Sequence, residues 1–297
     1  MSMVTLADIE QAAHRIGPHI RHGKARRVPG ERLWVVPENR QPTGSFKVRG
    51  ALNAVARLAE RGVAHVIAQS SGNHARATAY AASRHGLRVT VVLPDTAPEL
   101  KVAAARAQGA EVVIVPPALR EETCVALADH LGATIVGSDD FDVIAGHGSV
   151  GLDLPASGTV LVPVCNGGLL AGVAVAVKAY APSVRVVGVE PELAADGVAS
   201  FRAGRRVAWP VEETYRTIAD GLRAPSLGAL AWRHIHRYVD DMLTVDEETI
   251  TVAADLLHTS LAERAEPSGA VATAAYLLHR DALPPGPVTA VLSGGNV

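Results

Sequence analysis

Aromatic side chains are scarce in this sequence of 297 residues, of which Phe, Trp and Tyr make up only 4%. The core must therefore be built mainly from Ala, Val, Leu and Ile. Long apolar runs are also missing, because none approaches the ~20 residues that a membrane-spanning helix needs. The first residues lack the charged-then-apolar order of a signal peptide. We therefore expect a cytoplasmic protein that does not enter a membrane.

An excess of positive charge is absent too. The formal net charge is −2 and no basic stripe runs along the chain, so nothing favours binding to nucleic acid. Cys124 and Cys165 are the only cysteines, and we expect two free thiols rather than a disulfide. A content of 48% hydrophobic and 20% charged residues fits a soluble globular protein with one large or two modest domains.

Short apolar strands alternate with helices along most of the chain, a pattern typical of parallel sheets. The strands are predicted at residues 33–36, 63–68, 89–93, 111–115, 134–136, 160–164, 184–189, 241–245 and 288–292. The stretch 192–230 is predicted to be rich in loops. Two blocks of alternating elements suggest two α/β domains with a ligand-binding cleft between them.

One lysine stands in a context that favours covalent chemistry. Residues 41–50 read QPTGSFKVRG, and the Pro-Thr-Gly part predicts a turn before a helix that begins at about Ala51. Lys47 would then lie at a junction between a loop and a helix, where a lysine can lose its proton and attack a carbonyl. Taken alone, Lys47 would more often be a solvated lysine.

Two further segments lie between a strand and a helix, where backbone N–H groups can hold an anion. Residues 70–74, SSGNH, suit a carboxylate, and residues 165–169, CNGGL, suit a phosphate. The alternatives are an ordinary helix cap for the first and tight packing for the second. We expect Asn166 to take a positive φ, which Asn tolerates better than most residues.

A third pattern consists of oxygen ligands. Glu190 and Asp196, with the carbonyl of Ala194 between them, suit Mg²⁺ or Ca²⁺, although acidic loop residues are more often simply solvated. His-rich or Cys-rich spacing of the kind that binds zinc is not found.

Residues 38–47, followed in order by SSGNH, CNGGL and the segment SGGN at 293–296, resemble the pyridoxal-phosphate (PLP) enzymes of the serine/threonine dehydratase and serine racemase family. The resemblance covers almost the whole chain. It implies PLP fold type II, with two three-layer α/β domains, largely parallel sheets and the cofactor in the interdomain cleft. It also implies a large PLP-binding domain of residues 1–55 and 145–297, with a small α/β domain of residues 56–144 inserted in it. We expect a homodimer.

The resemblance assigns roles to individual residues. It implies that Lys47 holds PLP and takes the α-proton of the substrate, while Ser71 serves as an acid/base on the opposite face in racemases. The cofactor contacts it implies are Phe46, Lys47, Asn73, Cys165, Asn166, Gly167, Gly168, Leu169 and Ser293. The substrate contacts are Ser70, Ser71, Gly72, Asn73 and His74. The same spacing as in the divalent-cation site of racemases occurs at Glu190, Ala194 and Asp196.

The activity that follows from this resemblance is ammonia-lyase chemistry on a 3-hydroxy amino acid such as L-threonine or L-serine, giving a 2-oxo acid and ammonia. A serine racemase and a 3-hydroxyaspartate ammonia-lyase remain open, and a β-replacement synthase is less favoured. A PLP-binding homologue without catalysis also remains open, because Cys165 and Asn166 replace two glycines of the family's glycine run. Residues 21–24 and Ala224 depart from the family pattern as well, which leaves the substrate undecided.

Overall fold

Two sheets of mainly parallel strands organise the chain in the computed structural model, which describes residues 2–70, 72–97, 99–155 and 157–297. The strands are β1 (Arg26–Arg27), β2 (Leu33–Pro37), β3 (His65–Gln69), β4 (Arg88–Pro94), β5 (Glu111–Val115), β6 (Thr134–Ile135), β7 (Thr159–Pro163), β8 (Arg185–Pro191), β9 (Asp241–Val245) and β10 (Val288–Leu292). One sheet has the order β1-β2-β10-β7-β8-β9 and the other β5-β4-β3-β6. Within these two sheets only β1 runs antiparallel to its neighbour.

Helices cover both sheets. They are α1 (Leu6–Ile16), α2 (Lys47–Glu60), α3 (Asn73–His85), α4 (Glu99–Ala107), α5 (Arg120–Leu131), α6 (Phe141–Leu152), α7 (Gly168–Tyr180), α8 (Asp196–Ala203), α9 (Val211–Thr214), α10 (Ala229–Tyr238), α11 (Glu247–Leu261) and α12 (Pro267–His279). Short 3₁₀ turns occupy Gly17–His19, Glu38–Arg40, Pro117–Leu119, Glu192–Ala194 and Asp220–Leu222. In the described part of the chain, every helix is too short or too polar to cross a bilayer.

The predicted α/β alternation is confirmed, and each predicted strand is present to within two residues at either end. Three expectations about local structure were wrong. Helix α2 begins at Lys47 and not near Ala51, and the strand β1 was not predicted. The stretch 192–230 contains α8, α9 and the start of α10, whose interspersed Gly, Pro and Arg residues obscure the helical period. Cys124 and Cys165 are free thiols, as predicted.

Glycines bring three helices into backbone contact at the centre of the molecule. A Cβ on Gly146 of α6 would lie 2.5 Å from the carbonyl oxygen of Arg49 in α2. On the other side of α6, a Cβ on Gly172 of α7 would lie 2.5 Å from the backbone nitrogen of Gly148. Helix α6 therefore holds α2 and α7 at close and defined positions, because no side chain separates their backbones.

A buried ion pair stabilises the same region. The guanidinium of Arg49, only 1% exposed, binds both carboxylate oxygens of Glu38 at 2.7 and 2.8 Å. It also reaches Asp153 at 3.0 Å and the hydroxyl of Ser149 at 3.1 Å. A bidentate pair of this kind ties the turn before the lysine segment to α2 and α6.

The segments that carry the motifs all follow the carboxyl ends of parallel strands. Strand β2 leads to the lysine segment, β3 to SSGNH, β7 to CNGGL and β10 to Ser293. The four-stranded sheet is formed by residues 65–135, and the other sheet by strands on either side of that stretch. The domain bounds near 55 and 145 remain a prediction, and α2 runs without a break across the first of them.

Candidate active site

Lys47 is the first residue of α2, so its side chain stands at the N-terminal end of that helix. It is half-buried, with Nζ 4.9 Å from the centre of the Phe46 ring. No carboxylate of the described residues lies within salt-bridge distance of Nζ. Burial lowers the pKa of Lys47, and the neighbouring Cys165 opposes that shift. A lysine with a lowered pKa and no counter-ion is prepared for attack on a carbonyl.

Backbone hydrogen bonds join the lysine segment to the residues that follow β10. Phe46 donates its N–H to the carbonyl of Ser293 at 3.0 Å, and Gly295 donates to the carbonyl of Gly44 at 2.9 Å. Between these bonds, Ser45 forms an isolated antiparallel bridge with Gly294. The residue after β10 is therefore held directly beside the residue before Lys47.

Asn296 joins this segment to the SSGNH loop. Its Nδ2 donates to the carbonyl of Thr43 at 3.0 Å and to Oδ1 of Asn73 at 2.7 Å. Its Oδ1 accepts a hydrogen bond from Arg76 at 2.7 Å. Asn73 in turn donates to Oε1 of Glu266 at 2.6 Å. Neither Asn296 nor Glu266 was predicted as a site residue, because no local pattern links residues so far apart in the chain.

Glu266 is 2% exposed, and its Oε2 has no hydrogen-bond partner in the described part of the structure. Burial raises the pKa of Glu266 to about 7, against the opposing effects of the Asn73 hydrogen bond and the Lys101 charge. The carboxyl group can therefore change its protonation state near neutral pH directly behind Asn73.

The SSGNH loop leads from β3 into α3, which begins at Asn73. The hydroxyl of Ser70 accepts a hydrogen bond from the N–H of Gly72 at 2.9 Å. Nε2 of His74 donates to the carbonyl of Val136 at 2.8 Å, and burial is the main cause that lowers the pKa of His74 to about 4. Ser71 lies outside the described residues. The substrate contacts predicted for this loop remain a prediction.

An ion pair close to this loop links the part of the chain that forms the four-stranded sheet to the part that forms the six-stranded sheet. Lys101 of α4 pairs with Asp220, which follows α9. The stem of Lys101 lies over Gly72, since a Cβ there would be 2.5 Å from Cδ of the lysine. This contact, which was not predicted from the sequence, holds α4 against the part of the chain that contributes the six-stranded sheet.

The CNGGL loop corrects one expectation. Cys165 has a positive φ of 57°, while Asn166 does not, so the prediction for Asn166 was wrong. Oδ1 of Asn166 accepts a long hydrogen bond of 3.5 Å from the N–H of Gly168, a local contact typical of Asn in turns. Its Nδ2 donates to the hydroxyl of Ser138 at 2.8 Å. Gly167 follows with a φ of 91° and leads into α7.

Helix α7 presents its N-terminus beside Lys47. Gly168 is its first residue, and Leu169 directs its side chain into the core, where it is 2% exposed. Burial raises the pKa of the Cys165 thiol, and the charge of Lys47 opposes this effect. Backbone N–H groups in the first turn of a helix lack intrahelical partners and favour an anion such as phosphate.

The donor set fits PLP. Lys47 has no counter-ion among the described residues, the glycine-containing start of α7 can hold a phosphate, and Ser293 offers a neutral hydroxyl at the end of β10. Ser293 is 5% exposed, and within the described part of the chain its hydroxyl makes only a long hydrogen bond of 3.4 Å to the carbonyl of Ser268. It is therefore available to a second polar partner.

The predicted metal ligands lie together in the interior. Glu190 is the penultimate residue of β8 and Asp196 begins α8, and both side chains and Ala194 are almost fully buried. One oxygen of Glu190 accepts from the N–H of Val198 at 2.8 Å, while Oε1 of Glu190 and Oδ2 of Asp196 have no partner among the described residues. Burial raises the pKa of both carboxyls, that of Asp196 to about 7. Two buried carboxylates with free oxygens fit a divalent cation.

No cluster of three or more His, Cys, Asp or Glu side chains suited to a metal occurs in residues 2–70, 72–97, 99–155 and 157–297. A cation at Glu190 and Asp196 would thus depend on backbone carbonyls and water for its remaining ligands. The metal site remains a prediction.

Comparison with known proteins gives a consistent family match. The family model described as "Pyridoxal-phosphate dependent enzyme" matches residues 15–294. An L-threonine ammonia-lyase from Thermotoga maritima is 38% identical, with 99% of this chain and 76% of that protein covered. Serine racemase from Homo sapiens is 36% identical, covering 99% of this chain and 92% of the relative. A beta-hydroxyaspartate dehydratase from Paracoccus denitrificans is 35% identical, covering 100% and 98% respectively.

Solved structures agree in fold. The crystal structure of T.th. threonine deaminase superposes with a TM-score of 0.92 and 41% identity, covering 99% of this chain and 98% of the other. Maize serine racemase superposes with a TM-score of 0.94 and 33% identity, covering 100% and 94% respectively. Lyases and racemases match almost equally well, so similarity alone does not choose between them.

Proposed function

The chain belongs to the pyridoxal-phosphate dependent enzymes, within the group that contains ammonia-lyases and racemases, and we propose that it is an ammonia-lyase for a 3-hydroxy amino acid. The substrate would be L-threonine, L-serine or a close analogue. The products would be a 2-oxo acid and ammonia. Water leaves in the elimination and is taken up again when the released enamine hydrolyses, so the net change is the loss of ammonia.

The observation that carries the proposal is the state of Lys47. It begins α2, has a pKa lowered by burial and has no carboxylate partner in the described part of the chain. Such a lysine can bond covalently to the aldehyde carbon of PLP and, once the substrate has displaced it, take the α-proton. PLP supplies the electron sink that makes this proton acidic.

Other residues would position the cofactor. The N-terminus of α7, with Gly167 and Gly168, would hold the phosphate, and Asn73 would donate a hydrogen bond to the 3-oxygen on the pyridine ring of PLP. Phe46, Cys165 and Asn166 would line the same cavity, and Leu169, whose side chain lies in the core, would contribute its backbone N–H. The Asn296 and Glu266 contacts support this role for Asn73, because they leave its amide only one orientation.

Ser293 supports elimination over transamination. A serine hydroxyl beside the pyridine nitrogen does not force that nitrogen to carry a proton, in contrast to a carboxylate. Electron withdrawal from the substrate is then weaker, and a short-lived carbanion is suited to the loss of a β-hydroxyl group. The substrate carboxylate would bind at the loop of Ser70, Ser71, Gly72, Asn73 and His74.

Racemisation is the second candidate, because the buried pair Glu190 and Asp196 has the spacing of the racemase cation site. We propose that this pair, with the Ala194 carbonyl, binds Mg²⁺ or Ca²⁺. Ser71 would be the second acid/base that a racemase needs opposite Lys47. A homodimer and a cytoplasmic location remain expectations from the sequence.

A substrate panel tests the proposal. The holoenzyme is incubated with L-threonine, L-serine and L-threo-3-hydroxyaspartate, and the 2-oxo acid and the Cα epimer formed from each amino acid are quantified. The ammonia-lyase proposal predicts 2-oxo acid from at least one substrate and none with Lys47→Ala. Production of the Cα epimer without 2-oxo acid would instead assign a racemase, and no turnover with PLP bound would indicate a non-catalytic homologue.

A further inference from the structure

His147 is a buried polar side chain that none of the motifs includes. It lies in α6 between two glycines and is 0% exposed. Neither ring nitrogen makes a hydrogen bond of good geometry in the described residues, and the one backbone group that acts on the ring as a hydrogen-bond partner is that of Lys47 in α2. A buried polar atom without a partner is costly, so the nitrogen on the side away from α2 calls for a partner that the described residues do not supply.

The ring stands where α2, α6 and α7 meet. A Cβ on Gly50, three residues after Lys47, would lie 2.5 Å from Nε2 of His147. The other nitrogen, Nδ1, faces α7 and lies 3.6 Å from the position of a Cβ on Gly168. The Phe46 ring packs edge-on against the imidazole, with ring centres 4.8 Å apart. One side chain thus touches both the lysine helix and the start of the candidate phosphate helix.

The surroundings of His147 favour an anion. Burial is the main cause that lowers its pKa well below the ordinary value, and the charges of Lys47, His74 and Arg49 lower it further. The Lys47 backbone is the smallest influence and the only one that raises it. Lys47 and Arg49 are the cationic neighbours, of which Arg49 is already paired with Glu38, whereas His74, with its pKa of about 4, is neutral near pH 7. The N-terminus of α7, a helix of thirteen residues, adds positive potential at the same point.

We propose that His147 is a further cofactor-binding residue, which contacts the phosphate of PLP through Nδ1 beside the first turn of α7. The inference rests on the cofactor position given under the proposed function. One proton lies between Nδ1 and a phosphate oxygen, so a neutral ring accepts from a phosphate monoanion, and a protonated ring donates to the dianion. Both arrangements satisfy the orphaned nitrogen and neutralise charge that α7 alone would bear.

The test compares PLP with pyridoxal, which bonds to the same lysine but has no phosphate. Dissociation constants for both are measured from the visible absorbance of the lysine-linked cofactor in the wild type, His147→Leu and His147→Asn. Leu fills the space without a polar atom, whereas the Asn amide lies where Nδ1 was. His147→Leu should weaken PLP binding by about tenfold or more and leave pyridoxal within about twofold, since a hydrogen bond to a charged group is lost. His147→Asn should retain most of the PLP affinity.

A matched control is His65→Gln. His65 is also a buried histidine, but it begins β3 at the end of the strand away from Asn73 and bonds to Thr90 at 3.0 Å. This variant should lower thermal stability without changing the ratio of the two dissociation constants. Equal weakening of PLP and pyridoxal in His147→Leu would assign His147 a purely structural role and overturn the proposal.

A measurement on the wild type decides the matter if the variants do not fold. Holoenzyme labelled with ¹⁵N at histidine Nδ1 should show a ³¹P–¹⁵N dipolar coupling between the cofactor phosphate and one imidazole. The absence of any coupling with PLP bound would refute the role of His147 and leave the proposed function intact. Failure of the wild type to bind PLP at all would instead refute the proposed function.

Discussion

Gly44→Ala tests whether the lysine segment is held in place by the side chain of Asn296. Gly44 has a φ of +73°, and a Cβ there would overlap Oδ1 of Asn296. The asparagine would have to move, which breaks its hydrogen bonds to Arg76, Thr43 and Asn73. The left-handed backbone costs an alanine about 1 kcal/mol, and each lost hydrogen bond about 1 kcal/mol, so we expect a loss of about 4 kcal/mol of unfolding free energy.

Gly86→Ala provides the matched control. Gly86 caps α3 with a φ of +68°, but no atom lies within 4 Å of a Cβ placed there. Gly86→Ala should lower the free energy of unfolding by only about 1 kcal/mol, because an alanine there must adopt the left-handed backbone conformation. For a chain of this size we expect the melting temperature of the apoenzyme to fall by about 8 °C in Gly44→Ala and about 2 °C in Gly86→Ala.

Thermal melts and urea titrations of the apoenzyme measure the difference, and the PLP dissociation constant is measured alongside. Gly44→Ala should also weaken PLP binding, since Asn73 loses its anchor, whereas Gly86→Ala should not. Equal destabilisation by the two substitutions would show that Asn296 does not constrain the lysine segment, and the account of the site given above would be wrong.

Four further outcomes are expected. Borohydride reduction followed by peptide mapping should label Lys47, and Lys47→Ala should lack the visible absorbance band; a label on another lysine would refute the assignment. EDTA should lower the melting temperature of the wild type but not of Asp196→Asn, since a ligand that binds the folded state stabilises it; an unchanged wild-type melt with no metal found would show that Glu190 and Asp196 bind none. Ser71→Ala should abolish any racemisation and retain measurable elimination of the L-substrate, and loss of elimination with PLP still bound would contradict the two separate roles. Burial raises the pKa of Glu266 from 4.5 to about 7, so the folded apoenzyme keeps a proton that the unfolded chain has lost between these values, and stability falls as the pH rises through this window. In urea titrations, the free energy of unfolding of Glu266→Gln relative to that of the wild type should rise from pH 5 to pH 8, by at most on the order of 3 kcal/mol. A difference between the two proteins that does not change with pH would contradict the raised pKa.

Local patterns in the sequence were sufficient for much of the architecture. Runs of β-branched and small apolar residues predicted the strands of both sheets, because a strand buried on both faces needs a continuous apolar run. The residues around Lys47 predicted the family, which the family match over residues 15–294 confirms. Prediction failed in the CNGGL loop, where Cys165 and not Asn166 takes the positive φ.

The residue pattern predicted most of the strands and helices in their order, the loops that follow the strands, and Lys47 as the reactive lysine. Which side chains surround that lysine follows from the tertiary structure. Asn296 meets Asn73 across 223 positions of the chain, and Arg49 meets Asp153 across 104. His147 reaches both α2 and α7 only because glycines let those helices approach α6 at backbone distance. Such contacts depend on helix packing and sheet order, which no local spacing of residues encodes.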